Sequence, residues 1–213
     1  MKASQQTKRF EDILDILDKE YPGDFEGLDY TTPLELLVAT MLSAQCTDAR
    51  VNTVTPALFA KYKTVDDYIA VSQEELEQDI RPTGYYKAKA KNIKACCLML
   101  KEKFGNELPQ TREELVQLPG VGRKTANCVL MHCYNQQAIT VDTHVTRLTN
   151  LLGFVSTTDA VAIEFQLMEI VPLQRWNDVN RLLITHGRKV CIARRPQCTV
   201  CTIQHLCPSR QPM

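Results

Sequence analysis

Residues 118–126 read Leu118-Pro119-Gly120-Val121-Gly122-Arg123-Lys124-Thr125-Ala126, and this stretch decides the fold. The chain has eight glycines, and two of them stand here, between two helix-forming segments. Before them, Thr111 with Glu114 has the spacing of a capping box, in which hydroxyl and carboxylate satisfy the amides that open a helix. After them, Arg123 to Tyr134 carries an apolar helical pattern. Glycine admits positive φ and lets backbone approach a partner closely, while the second helix points unpaired amides and a positive dipole end outward. Gly120, Val121 and Gly122 therefore form either a bare helix–helix turn or a seat for a phosphate. Lys124 follows in the first turn, where the dipole disfavours a cation and so favours the free amine that a nucleophile requires. The plainer reading is an exposed lysine whose stem covers apolar surface.

Outward from the hairpin the chain stays helical. Phe10, Ile13, Leu14 and Leu17 share one face, as do Val145, Leu148, Leu151 and Leu152. Capping boxes open helices at Thr32 with Glu35, strengthened by Pro33, and at Ser72 with Glu75. The pattern predicts further helices over 48–59, with Pro56 a threat to its regularity, and over 85–104, 159–170 and 177–190. No alternating strand pattern occurs, so the expected fold class is all-α. No Gly/Ser linker or repeat separates domains, so any second domain is stitched into the first.

Asp142 ends the apolar approach Ile139-Thr140-Val141 where a new helix begins, the ordinary place for an N-cap. A cap is also a held, ionised carboxylate, so capping and catalysis are compatible. His144 reads as a packed or capping-turn histidine.

Net charge is formally zero, yet charge is segregated. Residues 11–29 hold eight acids (Glu11, Asp12, Asp15, Asp18, Glu20, Asp24, Glu26, Asp29) against Lys19. Residues 179–213 hold six basic residues and no acid, and residues 85–103 set six lysines against Glu102. A basic groove on a neutral protein is permitted, although solvated faces explain most such runs. Apolar runs fall far short of a membrane span and the N-terminus lacks a secretory pattern, so we expect an intracellular protein in cytoplasm or nucleoid, or the nucleus of a eukaryote.

Cys96, Cys97, Cys128 and Cys133 lie in helix-like segments and read as reduced core thiols, which leaves Cys46 unexplained. Cys191-x6-Cys198-x2-Cys201-x5-Cys207 supplies four thiolates from one short segment, enough for a zinc ion or a four-iron cluster, and spacing alone does not choose between them. Arg194 and Arg195 lie inside the first interval. A metal there would pin a basic loop suited to phosphate contact. A typical four-iron cluster with its thiolates would cancel about two positive charges, leaving the region basic.

Together, the 118–126 stretch, Val141-Asp142-Thr143-His144-Val145 and the four cysteines, in this order, resemble the endonuclease III family of helix-hairpin-helix glycosylases, from about Phe10 to about Pro208. The resemblance implies a two-domain α fold: a central helical domain over residues 26–136, and an iron–sulfur cluster domain from residues 1–25 plus 137–213. The active site would be the cleft between them. It implies a bifunctional glycosylase and abasic-site lyase acting as a monomer on double-stranded DNA that carries damaged pyrimidines. Lys124 and Asp142 would be catalytic, and Cys191, Cys198, Cys201 and Cys207 would ligate a [4Fe-4S] cluster. Gly120, Val121, Gly122, Arg194 and Arg195 would contact DNA. Leu42-Ser43-Ala44-Gln45 is similar to the segment whose glutamine enters the space left by the flipped nucleotide. The departure is Arg81-Pro82-Thr83-Gly84-Tyr85-Tyr86, where some members carry a leucine wedge and Tyr85 stands instead, which leaves the opposite-strand contact and lesion preference open. Adenine-mismatch glycosylases share the cluster but usually lack the lysine and carry a further C-terminal domain, so Lys124 and the short C-terminus favour the lyase. A non-catalytic DNA-binding protein with a structural metal would leave Lys124 and Asp142 unexplained.

Overall fold

The computed structural model describes residues 2–23 and 27–210, with side chains from Ser4 onward; Asp24 and Glu26 of the acidic run, and the expected domain boundary between 25 and 26, lie outside the described residues. Among the described residues there are eleven α-helices, short 3₁₀ turns and no strand. In chain order they are α1 (Lys2–Glu20), α2 (Pro33–Leu42), α3 (Asp48–Lys61), α4 (Val65–Ala70), α5 (Gln73–Asp79), α6 (Tyr86–Phe104), α7 (Arg112–Leu115), α8 (Arg123–Tyr134), α9 (Thr143–Leu151), α10 (Ala160–Ile170) and α11 (Trp176–Lys189).

The caps explain most of the starts. Thr32 accepts the Glu35 amide while the Glu35 carboxylate accepts the Thr32 amide, a complete capping box with Pro33 in the first turn. Ser72 and Thr111 cap α5 and α7 by accepting the amides of Glu75 and Glu114. Thr64 and Asp67 complete a further box at α4, which a search for Glu or Gln at the third position passes over. Pro56 does not interrupt α3: it lies on the exposed face, where water can satisfy the carbonyl that loses its donor.

Contacts divide the chain into two compact units, Glu26–Gln136 and Met1–Phe25 with Gln137–Met213, and each has its own apolar core. In the first, α6 packs against α2, α4 and α5, and α8 packs against α2 and α7. The turn before α8 is fixed by Gly120, at φ +78°, where a Cβ would stand 2.8 Å from Asn92 Cβ on α6 and 2.8 Å from Met41 Cε on α2. The lysine row of α6 divides: Lys87, Lys91 and Lys103 are exposed, whereas the other three have partners within the fold or are buried. Lys94 donates to the carbonyls of Tyr68 (3.2 Å), Ile69 (2.8 Å) and Val71 at the end of α4, Lys89 is buried, and Lys101 pairs with Asp66 at 2.7 Å.

In the second unit α1 packs on α10 and α11, and α9 packs on α11. Part of the acidic run is answered there: Arg175 pairs with Asp15 at 2.6 Å, and Arg181 pairs with Asp18. Gly187 lets α11 approach α9, since a Cβ there would lie 2.7 Å from His144 Nδ1.

Gly122 provides the contrast to Gly120: its φ is −90° and a Cβ would meet nothing within 4 Å. Gly120→Ala is therefore expected to destabilise the protein by about 2–3 kcal/mol, combining positive-φ strain with overpacking. Thermal unfolding should shift down by roughly 4–12 °C. Gly122→Ala should change stability by about 1 kcal/mol or less. A Gly120→Ala protein that unfolds at the wild-type temperature would refute this account of the turn.

Candidate active site and metal centre

Lys124 is the second residue of α8 and is exposed. The N-cap, Gly122, brings no side-chain acceptor, and no acid occupies the first turn, so the helix start keeps its positive character. Val121 behaves differently from its neighbours. Its side chain is buried and its amide donates to the Leu118 carbonyl at 3.0 Å, so it anchors the turn while Gly120 and Gly122 stay exposed. Gly122 is an ordinary N-cap residue, and the open space where a Cβ would stand leaves the backbone there uncovered.

In the same unit, Gln45 follows the end of α2 and Tyr85 is the N-cap of α6. Both are exposed, Tyr85 at 67%, and both hold left-handed backbone, φ 54° and 48°. Left-handed conformation costs a non-glycine residue about 1–2 kcal/mol and gathers at functional positions.

In the other unit, Asp142 is the N-cap of α9 and its Oδ1 accepts the Val145 amide at 2.8 Å. The helix start thus holds a half-buried carboxylate with its second oxygen unbonded among the described residues. His144 is packed, with Nδ1 3.3 Å from Arg147.

Cys191, Cys198, Cys201 and Cys207 line one apolar cavity behind α9 and α11. Burial pushes the Cys201 thiol up to about 11; a backbone hydrogen bond at Ile203 opposes this, and the charges of the other three cysteines add to it. Burial also raises Cys191, against the Arg147 guanidinium. Four cysteine sulfurs on one apolar cavity form a soft donor set of the kind that holds a metal group. Among the described residues no group of three or more His, Cys, Asp or Glu side chains converges as a single-ion site. Arg194 and Arg195 stand exposed on the loop between Cys191 and Cys198, which is held by Gln197 N–H to the Val190 carbonyl (3.0 Å) and Arg195 N–H to the Ile192 carbonyl (3.1 Å). All the remaining cysteines are free; Cys96 and Cys97 are buried, and burial raises the Cys96 thiol to about 12 and Cys133 to about 11.

Two residues at the cysteine cavity carried no sequence signal. Arg147 donates to the Cys191 carbonyl at 2.8 Å, and His186 Nε2 lies 3.5 Å from Cys201 Sγ. Neither has a motif spacing, and only the packing of α9 and α11 brings them there.

Residues 38–173 match the HhH-GPD superfamily of base excision DNA repair proteins. The curated endonuclease III of Synechocystis sp. is 49% identical over 99% of this chain and 96% of its own, and that of Bacillus subtilis is 46% identical over 96% and 94%. A solved structure of a trapped endonuclease III–DNA covalent intermediate superposes with a TM-score of 0.91, 48% identity, and coverage of 95% of this chain and 96% of that one. On the hairpin, the helix-capping carboxylate and these full-length likenesses, the chain belongs to the endonuclease III family of the HhH-GPD superfamily.

Proposed function

We infer that the chain is a base excision repair enzyme, a bifunctional DNA glycosylase that removes oxidised or damaged pyrimidines from double-stranded DNA and cleaves the abasic strand by β-elimination. One observation carries the reading: an exposed lysine lies in the first turn of a helix whose N-cap is a glycine with open space where a Cβ would stand. That start suits a phosphate, and the lysine beside it suits the covalent DNA intermediate named for a 48%-identical relative. The compact units serve as a central domain, residues 26–136, and a discontinuous cluster domain, residues 1–25 plus 137–213.

The target nucleotide leaves the stack, at a cost of a few kcal/mol that is lower for a poorly stacked lesion. Gln45 fills the space it vacates and Tyr85 meets the opposite strand. The unprotonated Lys124 amine attacks C1′, and the glycosidic bond breaks, its electron pair leaving with the base. Asp142 stabilises positive charge on the sugar and takes the amine proton. Ring opening sends the C1′–O4′ electron pair to oxygen, which gains a proton, and leaves an iminium between C1′ and Nζ. The iminium makes the C2′ proton acidic; its loss forms the C2′–C3′ double bond and expels the 3′ phosphate. Water then hydrolyses the imine and returns Lys124.

Cys191, Cys198, Cys201 and Cys207 would hold a [4Fe-4S] cluster, whose contribution when bound is to tie the Arg194–Arg195 loop to α9 and α11. The four cysteines line one cavity, and the reading as an iron–sulfur cluster rests on membership of the endonuclease III family. Exposed Arg194 and Arg195 contact phosphates and position the strand without reading its sequence.

Borohydride should trap an enzyme–DNA adduct with the wild type, and Lys124→Gln should bind the lesion yet lose the adduct. Asp142→Asn should slow base release by roughly two to four orders of magnitude. Wild-type trapping by Lys124→Gln would remove the nucleophile, and full activity in Asp142→Asn would reduce that residue to a cap. Anaerobically purified protein should contain iron and sulfide and absorb broadly in the visible; stoichiometric zinc without sulfide would overturn the cluster. Arg194→Ala with Arg195→Ala should weaken binding to damaged and undamaged duplex by similar factors and flatten the salt dependence. An unchanged salt slope would show that the loop does not touch the backbone.

A further inference from the structure

We propose that Lys89 is a positioning residue for base flipping: its buried ammonium ties the segment carrying Gln45 to the segment carrying Tyr85, so that both side chains meet DNA as one rigid pair. Lys89 is 6% exposed and lies in the first turn of α6. Its Nζ donates to the Leu42 carbonyl at 2.7 Å and to the Thr83 carbonyl at 2.8 Å. Leu42 is the last residue of α2, and Thr83 is the last residue of the 3₁₀ turn Arg81–Thr83. Carbonyls at these ends lack an intrahelical donor and carry the negative end of the dipole, so a cation is the fitting partner. Gln45 follows Leu42 by three residues and Tyr85 follows Thr83 by two.

The choice of lysine needs a reason beyond stability. Burial acts against the charged form, nearby Cys46 acts for it, and no carboxylate contributes. A buried cation without an anionic partner is a poor way to fill a core, where an apolar side chain packs at less desolvation cost. What lysine supplies is a bond in two directions between segments far apart in sequence. Gln45 and Tyr85 are both exposed and both left-handed, and such backbone persists only where its surroundings over-determine it. Releasing the ammonium frees both segments to relax. Lys94, on the same helix, makes the same kind of bond to the end of α4, which carries no residue assigned to DNA, so it serves as an internal control.

The proposal rests on the reading of Gln45 and Tyr85 as DNA contacts, and the test separates the two. Two reactions are compared: excision of an oxidised pyrimidine from duplex, and β-elimination at an abasic site in a single strand, which has no base to flip and no opposite strand. Lys89→Met should lower duplex excision at least tenfold in kcat/KM while single-strand cleavage stays within about twofold of wild type. Lys94→Met should lower the unfolding temperature without changing the ratio of the two reactions, and Lys89→Arg should restore most of that ratio. Adding Lys89→Met to Gln45→Ala with Tyr85→Ala should cost less than about a further twofold, because residues acting through one another are not additive. Equal losses in both reactions, or losses that multiply across the combined variant, would overturn the clamp. Full duplex excision by the Gln45→Ala, Tyr85→Ala enzyme would instead overturn the assignment of the two contacts. If Lys89→Met does not fold, Lys89→Gln, which keeps two N–H donors on a shorter stem, is put through the same comparison with the same outcomes deciding.

Discussion

The missing side chain at Gly120 is the constraint on which the site depends. Its positive φ turns the chain between α7 and α8, and the 2.8 Å approaches to Asn92 and Met41 seat that turn against α6 and α2. Val121 adds a buried anchor and an amide bonded to Leu118, which leaves the start of α8 a single direction in which to point. The position of Lys124 follows from that packing. Two glycines with one residue between them thus differ: the packing requires Gly120, whereas Gly122 caps α8 with open space where a Cβ would stand.

Some of the charge in this protein is used within its own fold. Lys89 and Lys94 satisfy terminal carbonyls, while Arg175 and Arg181 answer the acids of α1. Neutral composition and segregated charge runs are therefore poor guides to the surface, because a long cationic side chain can reach inward as readily as outward. The exposed arginines that remain beside the cysteine cavity, Arg194 and Arg195, are few, and they sit on a loop whose backbone is already braced. Few cations placed rigidly can position a strand without making the whole protein basic.

In the proposed mechanism Asp142 would serve structure and chemistry together. Its bond to the Val145 amide stabilises α9 and keeps the carboxylate oriented, and the remaining oxygen would be the one that meets a developing cation in the proposed mechanism. Gln45 and Tyr85 show the converse arrangement, in which backbone strain is held in place by contacts elsewhere in the unit. Preorganisation in both cases comes from neighbours that do not themselves touch the reacting atoms.

From the sequence alone came the helical class, the starts at Thr32, Ser72 and Thr111, the extent of α8 and the cap at Asp142, since each depends on residues near one another along the chain. Local chemistry also accounts for what was missed at α4, where Asp67 replaces the usual Glu in the capping box. Packing alone established that Gly120 and not Gly122 is sterically required, that Lys89 and Lys94 of α6 turn inward while Lys87, Lys91, Lys101 and Lys103 stay exposed, and that Arg147 and His186 meet the cysteine cavity. Those outcomes depend on helices brought together from distant parts of the chain, and neither periodicity nor motif spacing records which atoms a side chain will find across such a packing.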